Sequence, residues 1–180
     1  MYLYLIRHTA PLIPAGICYG QTDVPTSADD IGVCAETLRR RWSGSLPVFT
    51  SPLSRCLNLA NHLHPNPVID ERLLELHFGE WEMQAWDLIP RDQIDAWAAD
   101  VVGYSPGKRE TLLQMVERVM AFIADLQKQS MEQAVIVSHA GVIRILAAWQ
   151  QGDTVVSLAK RVAQMEQRFE FASCTETTLL

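Results

Sequence analysis

Three short apolar runs set the strongest limit on how this chain can fold. They occupy residues 2–6, 47–50 and 134–137, and each has the length of a strand with few polar side chains. Strands that are apolar on both faces are typical of parallel sheets covered by helices, whereas a sheet with one solvated face shows alternation. The runs therefore predict an α/β fold with a mostly parallel central sheet.

Charged and imidazole side chains follow these runs. Arg7 and His8 come directly after the first run, His139 comes just after the third, and Arg55 lies a few residues beyond the second. The carboxyl ends of parallel strands meet at one edge of the sheet, which is where α/β proteins bind ligands. We therefore expect these four side chains to lie close together at that edge, with His8 placed as a nucleophile.

Two arginines, two histidines and a helix start form a combination that suits an anion. A helix predicted to begin at Ala140 would direct its free backbone N–H groups at the same edge. The sequence lacks a His-x3-His pair for a metal and a P-loop for a nucleotide. The combination favours a small phosphate monoester as ligand, because arginine pairs well with phosphate oxygens.

The remaining elements are predicted from apolar spacing and from the residues that start and stop helices. Residues 9–29 contain several prolines and glycines and predict a long loop, and residues 84–109 predict short helices and loops that could form a lid. The other predicted elements are a helix capped by Asp29 or Asp30 that runs through Cys34, Leu38 and Trp42, a helix over 52–63 with Pro52 in its first turn, an edge strand at 68–69, helices over 110–129, 140–149 and 155–158, and a terminal strand at 168–172.

The composition argues against some classes of binding partner. With 15 Lys and Arg against 21 Asp and Glu, the net charge of −6 provides no basic field for nucleic acid or an anionic membrane. The apolar opening is too short for a signal peptide or a membrane span, so we expect a cytoplasmic protein. The four cysteines form no CxxC pair, which argues against a zinc or redox motif. A length of 180 residues predicts one domain over 1–180, and the oligomeric state stays open.

Four blocks, in order along the chain, resemble those of the histidine phosphatase superfamily. The resemblance spans residues 2 to about 146 and implies a phosphoglycerate mutase-like three-layer α/β/α sandwich. The blocks are Arg7-His8, Ser51-Pro52-Leu53-x-Arg55, Leu74-Glu75 with Phe78-Gly79-Glu80-Trp81-Glu82, and Ser138-His139-Ala140-Gly141-Val142-Ile143-Arg144. One departure stands beside the nucleophile, where Thr9 replaces the glycine of much of the superfamily.

The resemblance implies roles for the catalytic residues. His8 is the nucleophile that forms a phosphohistidine, and Glu75 is the acid that protonates the leaving group. Arg7, Arg55 and His139, with the backbone N–H of Ala140, stabilise the phosphoryl charge, so the scheme needs no metal and no cofactor. His77 is the competing local candidate for the acid, whereas Glu80 and Glu82 are expected at the surface or in structural roles.

A finer resemblance concerns the substrate. The loop over residues 16–25 and the run over 79–87 are similar to those of the α-ribazole phosphatase branch, which implies hydrolysis of α-ribazole 5′-phosphate or the corresponding cobalamin phosphate in cobalamin biosynthesis. Substrate contacts are then expected from Tyr19, Gly20, Gln21 and Thr22 in the loop. Aromatic side chains that could stack on a planar base are Tyr19, Phe78, Trp86, Trp97 and Tyr104, of which we expect Tyr19 and at most two others to do so.

Two other functions compete with this one. A phosphatase of broad specificity, or one for another sugar phosphate, would use the same catalytic residues. A protein that binds phosphate for regulation without catalysis belongs to a different class, and it would be expected to lack the nucleophile or the acid. Both His8 and Glu75 are present, which favours an enzyme.

Overall fold

A five-stranded sheet forms the centre of the computed structural model, which describes residues 1–179. The strands are β1 (Tyr2–Arg7), β2 (Val48–Thr50), β3 (Val68–Ile69), β4 (Gln133–Ser138) and β5 (Cys174–Thr178), arranged in the order β3-β2-β4-β1-β5. The first four are parallel, and β5 pairs antiparallel with β1. The predicted mostly parallel sheet with an edge strand at 68–69 is therefore confirmed.

The helices lie on both faces of this sheet. Their bounds are α1 Ala28–Leu38, α2 Ser54–Leu63, α3 Arg91–Ala99, α4 Leu112–Gln127, α5 Ala140–Ala148 and α6 Val155–Ala163. Short 3-10 turns at Glu71–Leu73, Gly79–Trp81, Trp86–Leu88 and Pro106–Lys108 connect some of them. Within residues 1–179, no helix has both the length and the apolar content that crossing a membrane would require.

Alternate side chains of the buried strands enter two separate cores. Leu3 and Leu5 of β1 pack with α4, α5 and α6 on one face, whereas Tyr4 and Ile6 pack with α1 and α2 on the other. This is the consequence of period-two alternation in a strand that is apolar throughout. The three-layer α/β/α arrangement predicted from the sequence is confirmed.

The predicted element boundaries need three corrections. Helix α1 is capped by Ser27, whose hydroxyl accepts from the Asp30 amide, and it ends at Leu38, so Trp42 lies beyond it. Pro52 precedes the N-cap of α2 instead of lying in its first turn. The helix predicted over 155–158 extends to Ala163.

The C-terminal strand was predicted in the wrong place. It runs over Cys174–Thr178, not over residues 168–172, and pairs with β1. Residues 168–172 are irregular, and they contact Arg7 at the end of β1 through the Phe169 carbonyl oxygen and the Phe171 ring. The last residue of the predicted domain, Leu180, lies outside the described residues.

The segment predicted as a possible lid packs against the Gly79–Trp81 turn at its C-terminal end. Gly79 and Gly107 both have positive φ, and a Cβ added to Gly107 would lie 1.8 Å from the carbonyl oxygen of Phe78. Lys108 also pairs with Glu80 across this contact, at 2.8 Å. The base of the predicted lid is thus held by a close backbone contact that only glycine permits. The lid function itself stays a prediction.

We predict that Gly107→Ala lowers the free energy of unfolding by about 2–4 kcal/mol, because the left-handed conformation and the overlap with Phe78 both add a cost. Gly16→Ala is the matched control, since Gly16 also has positive φ but has open space around it, and it should cost about 1 kcal/mol. Urea unfolding measures both values. Equal losses in the two variants would contradict the close contact.

Candidate active site

His8 follows β1 directly and is 1% exposed. Its Nδ1–H donates to the carbonyl oxygen of Thr9 at 2.7 Å, which leaves the lone pair on Nε2. The ring centre lies 5.2 Å from that of His139. The main chain therefore sets the tautomer in which Nε2 can act as a nucleophile.

The electrostatic surroundings keep this imidazole neutral. Burial lowers the pKa of His8 to about 3, and the positive charges of Arg55 and Arg7 add to the shift, while the hydrogen bond to Thr9 opposes it. A neutral ring is required because only a nitrogen with a free lone pair can attack phosphorus. His8 is in this form at pH 7.

Arg55 lies in the first turn of α2 and is fully buried. Its guanidinium donates to the carbonyl oxygens of Thr22 at 2.9 Å and Gly20 at 2.5 Å, and its Nε donates to Nδ1 of His139 at 3.3 Å. Among residues 1–179, no carboxylate forms a salt bridge with it. A buried cation whose protein partners are all neutral can pair with an anion that enters the site.

Arg7 is positioned by the segment before β5. Its Nη1 donates to the carbonyl oxygen of Phe169 at 2.6 Å, and its guanidinium carbon lies 3.7 Å from the ring centre of Phe171. The Phe171 ring also lies 5.5 Å from that of His8. The sequence analysis missed these aromatic residues as neighbours of the site, since their contacts join residues more than 160 positions apart.

His139 forms the N-cap of α5 and is 1% exposed. Because its Nδ1 accepts from Arg55, the ring proton lies on Nε2, which donates to the hydroxyl oxygen of Ser51 at 2.8 Å. Burial and then the charge of Arg55 lower the pKa of His139 well below its usual range. Ser51 follows β2 directly, so the ends of three adjacent strands meet here, as the sequence predicted.

Glu75 reaches the site from the irregular segment after the Glu71–Leu73 turn. Its Oε1 accepts from the Leu76 amide at 3.0 Å and its Oε2 from the Gly141 amide at 3.1 Å. A Cβ at Gly141 would lie 2.3 Å from Oε1, so this approach to α5 requires glycine. The carboxyl group is thus aligned at the amino end of α5.

Arg118 of α4 positions the main chain that carries Glu75. It donates to the carbonyl oxygens of Leu74 at 2.6 Å and Glu75 at 3.0 Å, and it pairs with Glu110 at 2.7 Å. Neither the contacts of Arg118 nor the role of Gly141 is predicted from the sequence. A lone arginine on an amphipathic helix carries no local signal, whereas Gly141 stands in one of the recognised blocks.

A cavity of about 180 Å³ brings several of the predicted site residues together. Tyr19 and Gly20, two of the predicted substrate contacts, line it. Gln21 and Thr22 contact site residues instead: the Gln21 side-chain amide donates to the Glu75 carbonyl oxygen, and the Thr22 carbonyl oxygen accepts from Arg55. The lining consists of Arg7, His8, Ile17, Cys18, Tyr19, Gly20, Glu75, Phe78 and Trp86.

A second cavity of about 320 Å³ shares Glu75 and Phe78 with the first. Ala140, the predicted phosphate-binding amide, lines this second cavity together with Gly141. His77, the alternative acid, lines a separate surface cavity beside Gln21 and Arg109. Across residues 1–179, His, Cys, Asp and Glu side chains form no group of three or more that could bind a metal ion.

Known proteins resemble this chain in sequence and in fold. Residues 3–167 match the histidine phosphatase superfamily (branch 1). The adenosylcobalamin/alpha-ribazole phosphatase of Salmonella typhimurium is 31% identical over 82% of this chain and 78% of its own. A Hydrogenobacter thermophilus protein with the provisional name phosphoserine phosphatase 2 is 27% identical over 83% of this chain and 78% of its own. The alpha-ribazole phosphatase of Shigella flexneri superposes with a TM-score of 0.79 at 28% identity, covering 98% and 89% of the two chains.

We predict that stability falls as the pH drops below about 6.5. Unfolded histidines take up protons there, whereas His8 stays neutral in the folded state down to about pH 3 and His139 also resists protonation. Each such group should contribute a slope of up to about 1.4 kcal/mol per pH unit. Urea unfolding from pH 7.5 to 4.5 in phosphate-free buffer measures it. His8→Gln should show a shallower slope, and a slope equal to that of the parent would contradict the shift.

Proposed function

Since this chain belongs to branch 1 of the histidine phosphatase superfamily, we propose that it hydrolyses phosphate monoesters through a phosphohistidine on His8. The observation that carries the proposal is the buried His8 itself, neutral and with Nε2 free, in a cavity with Arg7 and Glu75. Membership of the superfamily makes the chain a phosphatase. The residue roles, the metal independence and the substrate are the parts proposed here.

The proposed first step transfers the phosphoryl group to His8. Nε2 forms a bond to phosphorus while the ester oxygen leaves, and Glu75 gives that oxygen a proton. Charge on the equatorial oxygens is stabilised by Arg7, Arg55 and the Ala140 amide. His139, whose ring proton is donated to Ser51, contributes by accepting from Nε of Arg55. In the second step Glu75 takes a proton from water, whose oxygen attacks phosphorus and releases His8 and inorganic phosphate.

Metal independence is proposed from the charge of the site. Two guanidinium groups lie at the end of β1 and at the start of α2, and the protein partners of Arg55 are neutral carbonyl oxygens and an imidazole. These groups supply the positive charge that a metal ion supplies in many phosphatases. Hydrolysis should therefore continue in the presence of a chelator.

We propose α-ribazole 5′-phosphate, or adenosylcobalamin 5′-phosphate, as the substrate. The two α-ribazole phosphatases among the relatives support this choice, as do the aromatic residues of the first cavity. Phe78 contacts the edges of Trp86 and Trp97, whose rings stack at 6.1 Å between centres. A planar base would meet aromatic surfaces next to the phosphate site.

The second cavity supports an apolar leaving group. Its charged residues are Glu75 and Arg144, and the Arg144 guanidinium donates to the carbonyl oxygens of Met165 and Gln167. Apart from these two residues the lining is apolar, so an uncharged ring would enter it without the loss of hydration that the amine and carboxylate of phosphoserine would undergo. The rest of the lining is Leu76, Phe78, Trp97, Val101, Leu112, Met115, Ala140, Gly141, Val162 and Ala163.

We predict that His8→Ala lowers kcat by at least about a thousandfold, because the covalent path is lost. With 32P-labelled ester, the parent should form a base-stable, acid-labile phosphoenzyme and the variant should not. Parent turnover should survive EDTA. A His8→Ala variant as active as the parent would refute the mechanism. If the parent binds phosphate but shows neither turnover nor a phosphoenzyme, the protein is a catalytically silent phosphate-binding protein instead.

We predict that Ala163→Phe lowers kcat/KM for α-ribazole 5′-phosphate about tenfold or more, because the new ring fills the second cavity. The kcat/KM for glycerol phosphate should change by less than about twofold. Val156→Phe on the exposed face of α6 is the control and should change neither value. Phosphoserine and ribose 5-phosphate complete the panel.

Equal kcat/KM values of the parent for all four esters would refute the α-ribazole assignment and favour the broad-specificity alternative. Equal losses on both esters in Ala163→Phe would show that the ring does not enter this cavity.

A further inference from the structure

Glu82 is a buried carboxylate that the proposed mechanism leaves without a role. Its side chain is 8% exposed, whereas that of Glu80, two positions earlier, is 62% exposed. The sequence predicts surface or structural roles for both residues. Glu80 lies at the surface and pairs with Lys108, but burial of an ionised side chain is costly unless its contacts compensate.

The contacts of Glu82 come mainly from the loop that meets Arg55. Oε1 accepts from the Gln21 amide at 3.0 Å and from the Phe78 amide at 2.9 Å. Oε2 accepts from the Thr22 amide at 2.6 Å and also from the Thr22 hydroxyl. Nδ1 of His77 lies 2.9 Å from Oε1. One carboxylate thus receives the donors of two consecutive loop residues.

A single peptide group connects Glu82 with Arg55. The Gly20 carbonyl and the Gln21 N–H belong to the same peptide plane, in which a trans bond directs the two groups in opposite directions. The N–H points at Glu82, so the carbonyl oxygen points away from it, where it accepts from Nη2 of Arg55. The orientation of this peptide therefore depends on having an acceptor on one side and a donor on the other.

The same loop contacts Arg55 a second time and also reaches Glu75. The Thr22 carbonyl oxygen accepts from Nη1 of Arg55, and the Gln21 side chain donates to the Glu75 carbonyl oxygen. Residues 20–22 lie in neither a helix nor a strand, so secondary structure does not fix their orientation. Among the described contacts, Glu82 is the acceptor for the backbone N–H groups of both Gln21 and Thr22.

We propose that Glu82 is a positioning residue that aligns the Arg55 guanidinium for the phosphoryl group, acting through the 20–21 peptide. The proposal rests on the phosphate-binding role of Arg55 in the proposed function. Glu82 does not touch the phosphate. Its negative charge matters because it accepts four hydrogen bonds, which an uncharged amide of the same shape cannot do.

The test is Glu82→Gln, with Glu80→Gln as the matched control. Glu82→Gln should lower kcat/KM about tenfold to a hundredfold, as expected for a small displacement of a catalytic group. It should also weaken the binding of inorganic phosphate, measured by calorimetry. Glu80→Gln should change neither kcat/KM nor phosphate affinity by more than about twofold. Far-UV circular dichroism and thermal unfolding establish that each variant is folded.

A double-mutant cycle separates positioning from a general structural role. In an Arg55→Lys background, which lacks the guanidinium that the 20–21 peptide aligns, Glu82→Gln should change phosphate affinity by less than about twofold. An equal loss in the presence and absence of Arg55 would overturn the proposal, as would unchanged phosphate affinity in Glu82→Gln. Because phosphate binding needs no turnover, coupling in an inactive parent would support positioning while refuting the phosphatase proposal.

Discussion

The site depends on a fully buried guanidinium for which residues 1–179 provide no carboxylate partner. Arg55 donates to two carbonyl oxygens and an imidazole nitrogen, so its charge is solvated by dipoles and is not neutralised. Burial lowers the pKa of both His8 and His139, and the charge of Arg55 adds to each shift. In the proposed mechanism the same residue therefore binds the phosphoryl group and helps to keep His8 neutral. The sheet makes this arrangement possible because the carboxyl ends of three adjacent parallel strands lie at the same edge.

The parts of the site that the sequence predicted are those that follow buried strands. His8 and His139 follow apolar runs whose composition predicts buried strands. The parallel register of those strands then brings the two residues together. Arg55 follows one turn later, in a helix whose start the sequence placed within two residues. In these cases a local pattern and a general topological rule were sufficient.

The parts that could not be predicted depend on contacts between distant residues. Arg118 and Phe171 act on main-chain and side-chain groups far away in the sequence, and neither position has a distinctive local pattern. Strand β5 is polar and partly exposed at the sheet edge, so its composition resembles that of a loop, whereas residues 168–172 contain two phenylalanines, a residue type common in strands. Irregular segments held by buried polar side chains leave no periodic signal.

The hydrogen bond from His8 to the Thr9 carbonyl oxygen bears on how this position can vary over evolution. A carbonyl group is common to all twenty amino acids, so the orientation of the nucleophile is inherited with the backbone. Selection can then act on the Thr9 side chain for other reasons without losing the reaction. A threonine beside the nucleophile, where much of the superfamily has glycine, is the kind of drift that such an arrangement tolerates.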